Sequence, residues 1–128
     1  MTPQPSDKVL LIRADELRPG QPTAGMTRQE AIASRSIWAG LVRTDPGMQS
    51  GWHHHGAHET AIYVLAGHMR MESGPDGADV VEAGASDFIY VPSGAIHRES
   101  NPSEEQAVAV ILRSGTGEVV VNVERPSP

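Results

Sequence analysis

The sequence predicts an all-β domain, a sandwich or barrel of short strands, and three observations point that way. Segments of strand length, apolar or alternating, recur along the chain. Gly, Pro, Asp and Asn close most of them, which is turn chemistry with a mechanism at each site. The best helical candidate is a single short segment. The 128 residues are enough for one domain, and a domain of this size buries roughly two-thirds of the surface its unfolded chain exposes. We expect one domain over residues 1–128, with its core at about 35–123 and loose ends at 1–8 and 124–128.

Taken in order, residues 1–7 carry two prolines and read as an unstructured start. Val9-Leu10-Leu11-Ile12 is an apolar run, read as a strand. Arg18-Pro19-Gly20-Gln21-Pro22 reads as a loop. Thr27 with Glu30 has the form of a capping box, which predicts a short helix through Ala33. Ile37 to Thr44 reads as a strand ended by the turn Asp45-Pro46-Gly47. Strands follow at Trp52–His55, Ala61–Leu65 and His68–Glu72, and Gly74-Pro75-Asp76-Gly77 makes a hairpin loop. The last strands are Asp79–Glu82, Phe88–Val91, His97–Ser100, Ala107–Arg113 and Glu118–Val123, ahead of a fraying tail. Strands at this spacing suit a sandwich or a barrel.

Composition narrows the partners. Formal net charge is −6, which argues against nucleic acid and against an anionic membrane surface. There is no cysteine, so disulfides and thiolate ligands are excluded and any metal site must use nitrogen and oxygen. The first residues contain no apolar run of signal-peptide type, and nowhere do eighteen apolar residues follow one another. A cytoplasmic protein is the expectation.

Four of the six histidines fall between Gly47 and Gly67, at 53, 54, 55 and 58. On a strand, His53 and His55 share one face while His54 takes the other. Two imidazoles on one face are half of a metal site, suited to ions such as zinc, iron, nickel or manganese. A run of three histidines also suggests a tag, but this one is internal.

The residues around them form two patterns. Gly47, His53, His55 and Gly67 fit G-x5-H-x-H followed, after three or four residues, by E-x6-G. Pro92, Gly94, His97 and Asn101 fit G-x5-P-x-G-x2-H-x3-N, with Ser86 where the first Gly is expected and Gly84 two residues earlier. Over about a third of its length the chain thereby resembles the cupin superfamily. That resemblance implies a double-stranded β-helix, a jelly-roll barrel with its metal near the middle of the interior. It implies His53, His55 and His97 as ligands of one divalent transition metal, iron, manganese, nickel or zinc.

The family's glutamate is ambiguous. Counting forward from His55 gives Glu59; counting back from Gly67 gives Thr60. One residue reverses the face of a strand, so Glu59 is a fourth ligand only before regular strand begins. His58 is the rival, and Thr60 leaves room for water or substrate. Tyr63 and Tyr90 are candidates for a substrate pocket, and Arg43, Arg70 and Arg98 for binding a substrate carboxylate. Trp38 and Trp52 read as core, and Met48, Met69 and Met71 as apolar filling.

Two functions compete. One is a metal-dependent enzyme on a small organic molecule, of dioxygenase, isomerase or lyase type. The other is a non-catalytic module or sensor that binds a small molecule or metal in the same pocket. The resemblance further implies a homodimer, with Val9 to Ile12 pairing with the sheet of a second subunit and covering an exposed edge.

Overall fold

The computed structural model describes residues 7–115 and 119–128. Two antiparallel sheets face each other. The first has six strands in the order β1 (Arg18–Pro19), β2 (Met26–Ala33), β3 (Ile37–Thr44), β10 (Ala107–Ser114), β5 (Thr60–Ala66) and β8 (Phe88–Val91). The second has five, in the order β11 (Val121–Asn122), β4 (His53–His54), β9 (His97–Ser100), β6 (Met69–Ser73) and β7 (Asp79–Ala83). Successive strands thus alternate between sheets for much of the chain, which is the double-stranded β-helix expected. Helix is limited, among the described residues, to two 3-10 turns at Ala14–Glu16 and Pro75–Gly77.

Strand alternation builds the core. On β5, Thr60, Ile62 and Val64 are buried while Ala61 and Leu65 are exposed. On β10, Ala107, Ala109 and Ile111 face in, and Val42, Met69, Met71 and Val91 meet them from other strands. Each larger side chain so buried contributes about 1.5–3 kcal/mol. Gly67 closes the β5–β6 turn at φ 82°, where a Cβ would lie 2.7 Å from the Gln106 carbonyl oxygen; only glycine fits. Ser86, at the motif's glycine position, also has a positive φ, 75°.

The N-terminal quarter departs from expectation. Residues 26–33 form not a helix but strand β2, paired with β3 along its length with a bulge between Glu30 and Ile32. A helix this short is marginal alone, whereas β3 has main-chain groups that need a partner on that side. Arg18 and Pro19, read as loop, pair with Glu30 and Gln29. Val9 to Ile12 form no strand within this chain; Val9, Leu10 and Leu11 are exposed. The tail is tied rather than frayed: the Asp76 amide donates to the Ser127 carbonyl at 2.9 Å. The expected start of the last strand, Glu118, and residues 1–6 lie outside the described residues.

Candidate metal centre

Three histidines meet inside the barrel. His53 on β4 lies opposite His97 on β9 in register, and His55 follows two residues after His53 on the same side. All three are buried. Ring centroids lie 4.4 Å apart for His53–His97, 5.0 Å for His53–His55 and 5.2 Å for His55–His97. One ring nitrogen from each lies within 4.8 Å of the other two, and among the described residues no other such group of His, Asp and Glu is found.

The rings are oriented by main chain. The Nδ1 of His53 bonds the Gly51 carbonyl at 2.9 Å, that of His55 the Val119 carbonyl at 2.8 Å, and that of His97 the Ala95 carbonyl at 2.9 Å. A carbonyl oxygen only accepts, so each Nδ1 carries the proton and each Nε2 presents a lone pair. That is the tautomer a metal-binding imidazole needs, with its outer partner already in place. Burial, helped by the Arg113 guanidinium, lowers the His55 pKa to about 3. Burial likewise lowers that of His97, against the pull of the Glu99 carboxylate. Both rings are therefore neutral at pH 7, the form in which an imidazole can bind a metal. The donor set fits one divalent transition ion.

The other candidates separate by strand parity. Thr60 lies on the inner face, and its hydroxyl accepts from Arg113 Nε at 3.0 Å. Glu59 lies on the outer side: it is exposed, its carboxylate accepts from the Tyr90 hydroxyl at 2.6 Å, and it stands outside the histidine group. That bond raises the Tyr90 pKa. Regular strand already runs at Thr60, so the count back from Gly67 gives the inward residue. His58 is also outside the group; its ring packs on Gly115, and its buried Nδ1 has no hydrogen-bond partner among the described residues. Tyr63 pairs with Phe88 at 4.7 Å, and Tyr90 is 62 % exposed; neither lines the inner cavity. His54 points the other way and accepts from the Gly56 amide.

A small cavity of about 30 Å³ adjoins His55 and His97. Thr60, Arg113, Arg28 and Glu99 supply its polar lining, and Met26, Ile62, Met69 and Ile111 are among its apolar walls. Glu99 and Arg113 were missed in the sequence, yet parity finds both: Glu99 is two residues from His97, and Arg113 two from buried Ile111. The arginines first considered lie elsewhere. Arg43 bonds Gln29, and Arg98 pairs with Glu72 at 3.0 Å and stacks over Trp52 at 4.6 Å. Arg70 and Arg98 border a groove of about 380 Å³ on the outer face of the five-stranded sheet, away from the imidazoles.

Comparison with known proteins agrees with this fold. The cupin domain profile matches residues 40–113. No curated protein matches the chain. Similar structures include KdgF from Halomonas sp., with a TM-score of 0.73 at 19% identity, covering 86% of this chain and 96% of that one. A conserved protein with a double-stranded β-helix domain from Klebsiella pneumoniae gives 0.69 at 18%, covering 91% of this chain and 100% of that one. A variant of Bacillus subtilis oxalate decarboxylase OxdC gives 0.71 at 24%, covering 87% of this chain and 31% of the other. The profile spans more than half of the sequence, and all three inward imidazoles stand within it: the chain belongs to the cupin domain family.

Proposed function

We propose that the protein is a metal-dependent enzyme acting on a small organic molecule, of dioxygenase, isomerase or lyase type. His53, His55 and His97 would hold one divalent transition ion, iron, manganese, nickel or zinc, through Nε2. The observation that carries this reading is the triple main-chain clamp on Nδ1, which leaves three Nε2 lone pairs unused in a group whose ring nitrogens lie within 4.8 Å of one another. Such an ion, held by three nitrogens, would have positions left for substrate or water and would supply Lewis acidity there. Around it the chain's own groups divide the work. Met26, Ile62, Met69 and Ile111 keep bulk water out. Thr60 steadies Arg113 through its hydroxyl. Glu99, on the face of β9 that carries His97, is the carboxylate available to hold a proton.

A second reading, a non-catalytic binder or sensor, draws support from Thr60, which puts a hydroxyl where the family pattern has glutamate. Protein purified without added metal, analysed for metal and then screened for turnover in its iron, manganese, nickel and zinc forms, separates the two. Stoichiometric metal with turnover in one form supports the enzyme. Stoichiometric metal with ligand binding and no turnover in any form supports the binder. Absence of metal affinity overturns both.

We propose in addition a homodimer. Its support is the exposed run Val9-Leu10-Leu11, which is apolar and has no strand partner among the described residues. Sedimentation giving a strict monomer at micromolar concentration would remove it.

A further inference from the structure

The outer face of the five-stranded sheet carries an arginine whose polar atoms the fold leaves unsatisfied. Arg70 lies on β6 between buried Met69 and Met71, so it points away from the metal centre. Its Nε is buried and has no hydrogen-bond partner among the described residues. The carboxylates beside it are engaged elsewhere. Glu72, two residues along the same face, accepts through Oε1 and Oε2 from two nitrogens of Arg98, at 3.1 and 3.0 Å. Glu82, opposite Arg70 on β7, is exposed and meets His68 Nε2 at 3.4 Å. A buried guanidinium nitrogen without a partner is costly, so its retention calls for a cause.

Register supplies its neighbours. Arg70 is opposite Ser100 on β9, and Ser100 is bridged in turn to Gln49. Residues paired in this way share a face, with Cβ atoms about 5 Å apart. Gln49, Ser100 and Arg70 thus form one row across the sheet, and all three line the groove of about 380 Å³. Of the groove's charged residues, Glu72 and Arg98 neutralise each other, which leaves the charge of Arg70 uncompensated there. The groove exceeds the roughly 300 Å³ at which small-molecule sites begin. The donors then select the ligand. A carboxylate offers two oxygens, and a guanidinium fork alone satisfies them. A phosphate monoester offers three in a tetrahedral array, two for the fork and one for the hydroxyl or amide next to it. We propose that this row binds the phosphate group of a small phosphorylated molecule, with Arg70 as its anchor and Met48 and Pro102 as walls for the rest of the ligand. The site shares no residue with the histidine group and lies on the other face of the sheet from His97, so it stands whether or not the metal reading does.

The test titrates the 128-residue protein with glycerol 1-phosphate and with acetate by calorimetry, in a phosphate-free buffer of fixed ionic strength. Wild type is expected to bind one glycerol phosphate per chain, about tenfold or more tighter than acetate, since each further hydrogen bond to a charged group is worth that much. Arg70→Met should weaken glycerol phosphate by about tenfold or more while metal content stays at the wild-type value. Arg70→Lys, which keeps the charge and loses the fork, should lie between wild type and Arg70→Met and reads the same effect if the methionine variant does not fold. Ser100→Ala should weaken glycerol phosphate severalfold and leave acetate unchanged. No binding of glycerol phosphate by wild type, or acetate bound as tightly as the ester, overturns the proposal. So does equal binding of the ester in wild type and Arg70→Met, which is the result expected if a metal at the histidines takes up the phosphate instead.

Discussion

The two sheets equip the barrel interior with opposite chemistry. The five-stranded sheet brings His53 and His97, with His55 just beyond β4 and Glu99 on β9: imidazole nitrogens and a carboxylate, all suited to a cation. The six-stranded sheet brings Thr60, Arg113 and Arg28, a hydroxyl and two guanidiniums suited to an anion. Apart from His55, which follows β4 by one residue, each set lies on inward positions of regular strands, so the division follows mainly from parity and register. The two sets face one another across the barrel interior, and each can be damaged separately.

The largest expected effect falls on the histidine side. His97→Ala, like His53→Ala and His55→Ala, should abolish stoichiometric metal binding, while His54→Ala should leave it intact. Metal content after chelation and reloading is the measurement, and full occupancy in His97→Ala would break the comparison at its base. Removing the metal comes next. The strands bury their own apolar core, so the chelated protein should keep its circular dichroism spectrum. Restoring metal to a thousand times its dissociation constant should add about 4 kcal/mol of stability, and a chelated protein with an unfolded spectrum would contradict this.

A smaller effect links the sheets. The His55 pKa is lowered to about 3, first by burial and then by Arg113 across the barrel. The unfolded chain therefore binds the extra proton between pH 6.5 and about 3, so this contribution is complete above pH 6.5 and lost as pH falls through that window. The urea midpoint of metal-free protein should drop between pH 7 and pH 4.5, and less steeply in Arg113→Met. A pH-independent midpoint would deny the coupling. The smallest effect is expected outside the barrel. Glu59→Gln removes a charge that bonds Tyr90 on the exposed face, and metal affinity by competition titration should stay at the wild-type value. A clear loss would return Glu59 to the metal and undo the parity argument.

Legibility followed the range of the interactions. The barrel, the strands from Ile37 to Ser114 and the inward placement of His53, His55 and His97 could be read because period-two alternation and turn residues are local signals. The helix expected over 27–33 failed because a local cap signal competed with an unpaired edge of β3, and pairing won. The arginines that the sequence offered, Arg43, Arg70 and Arg98, lie outside the barrel; the same alternation that placed the histidines picks out Arg113 and Glu99. Ser86 kept its place in the motif despite the wrong residue type, since φ there is 75° and glycine is what that backbone favours. No sequence signal names the carbonyls of Gly51, Ala95 and Val119, because every residue has one.

That last fact has a bearing on how the site can be lost. The groups that aim the imidazoles belong to the peptide chain itself, so replacing the side chains at 51, 95 or 119 leaves the oxygens where they are. Side-chain scanning is blind to this layer, and drift in sequence passes over it freely. Only a change in the path of the backbone, such as a deletion between Gly51 and His53 or between Ala95 and His97, would turn a ring away. The protein's tolerance should therefore be high for substitution and low for insertion and deletion at those two short spans.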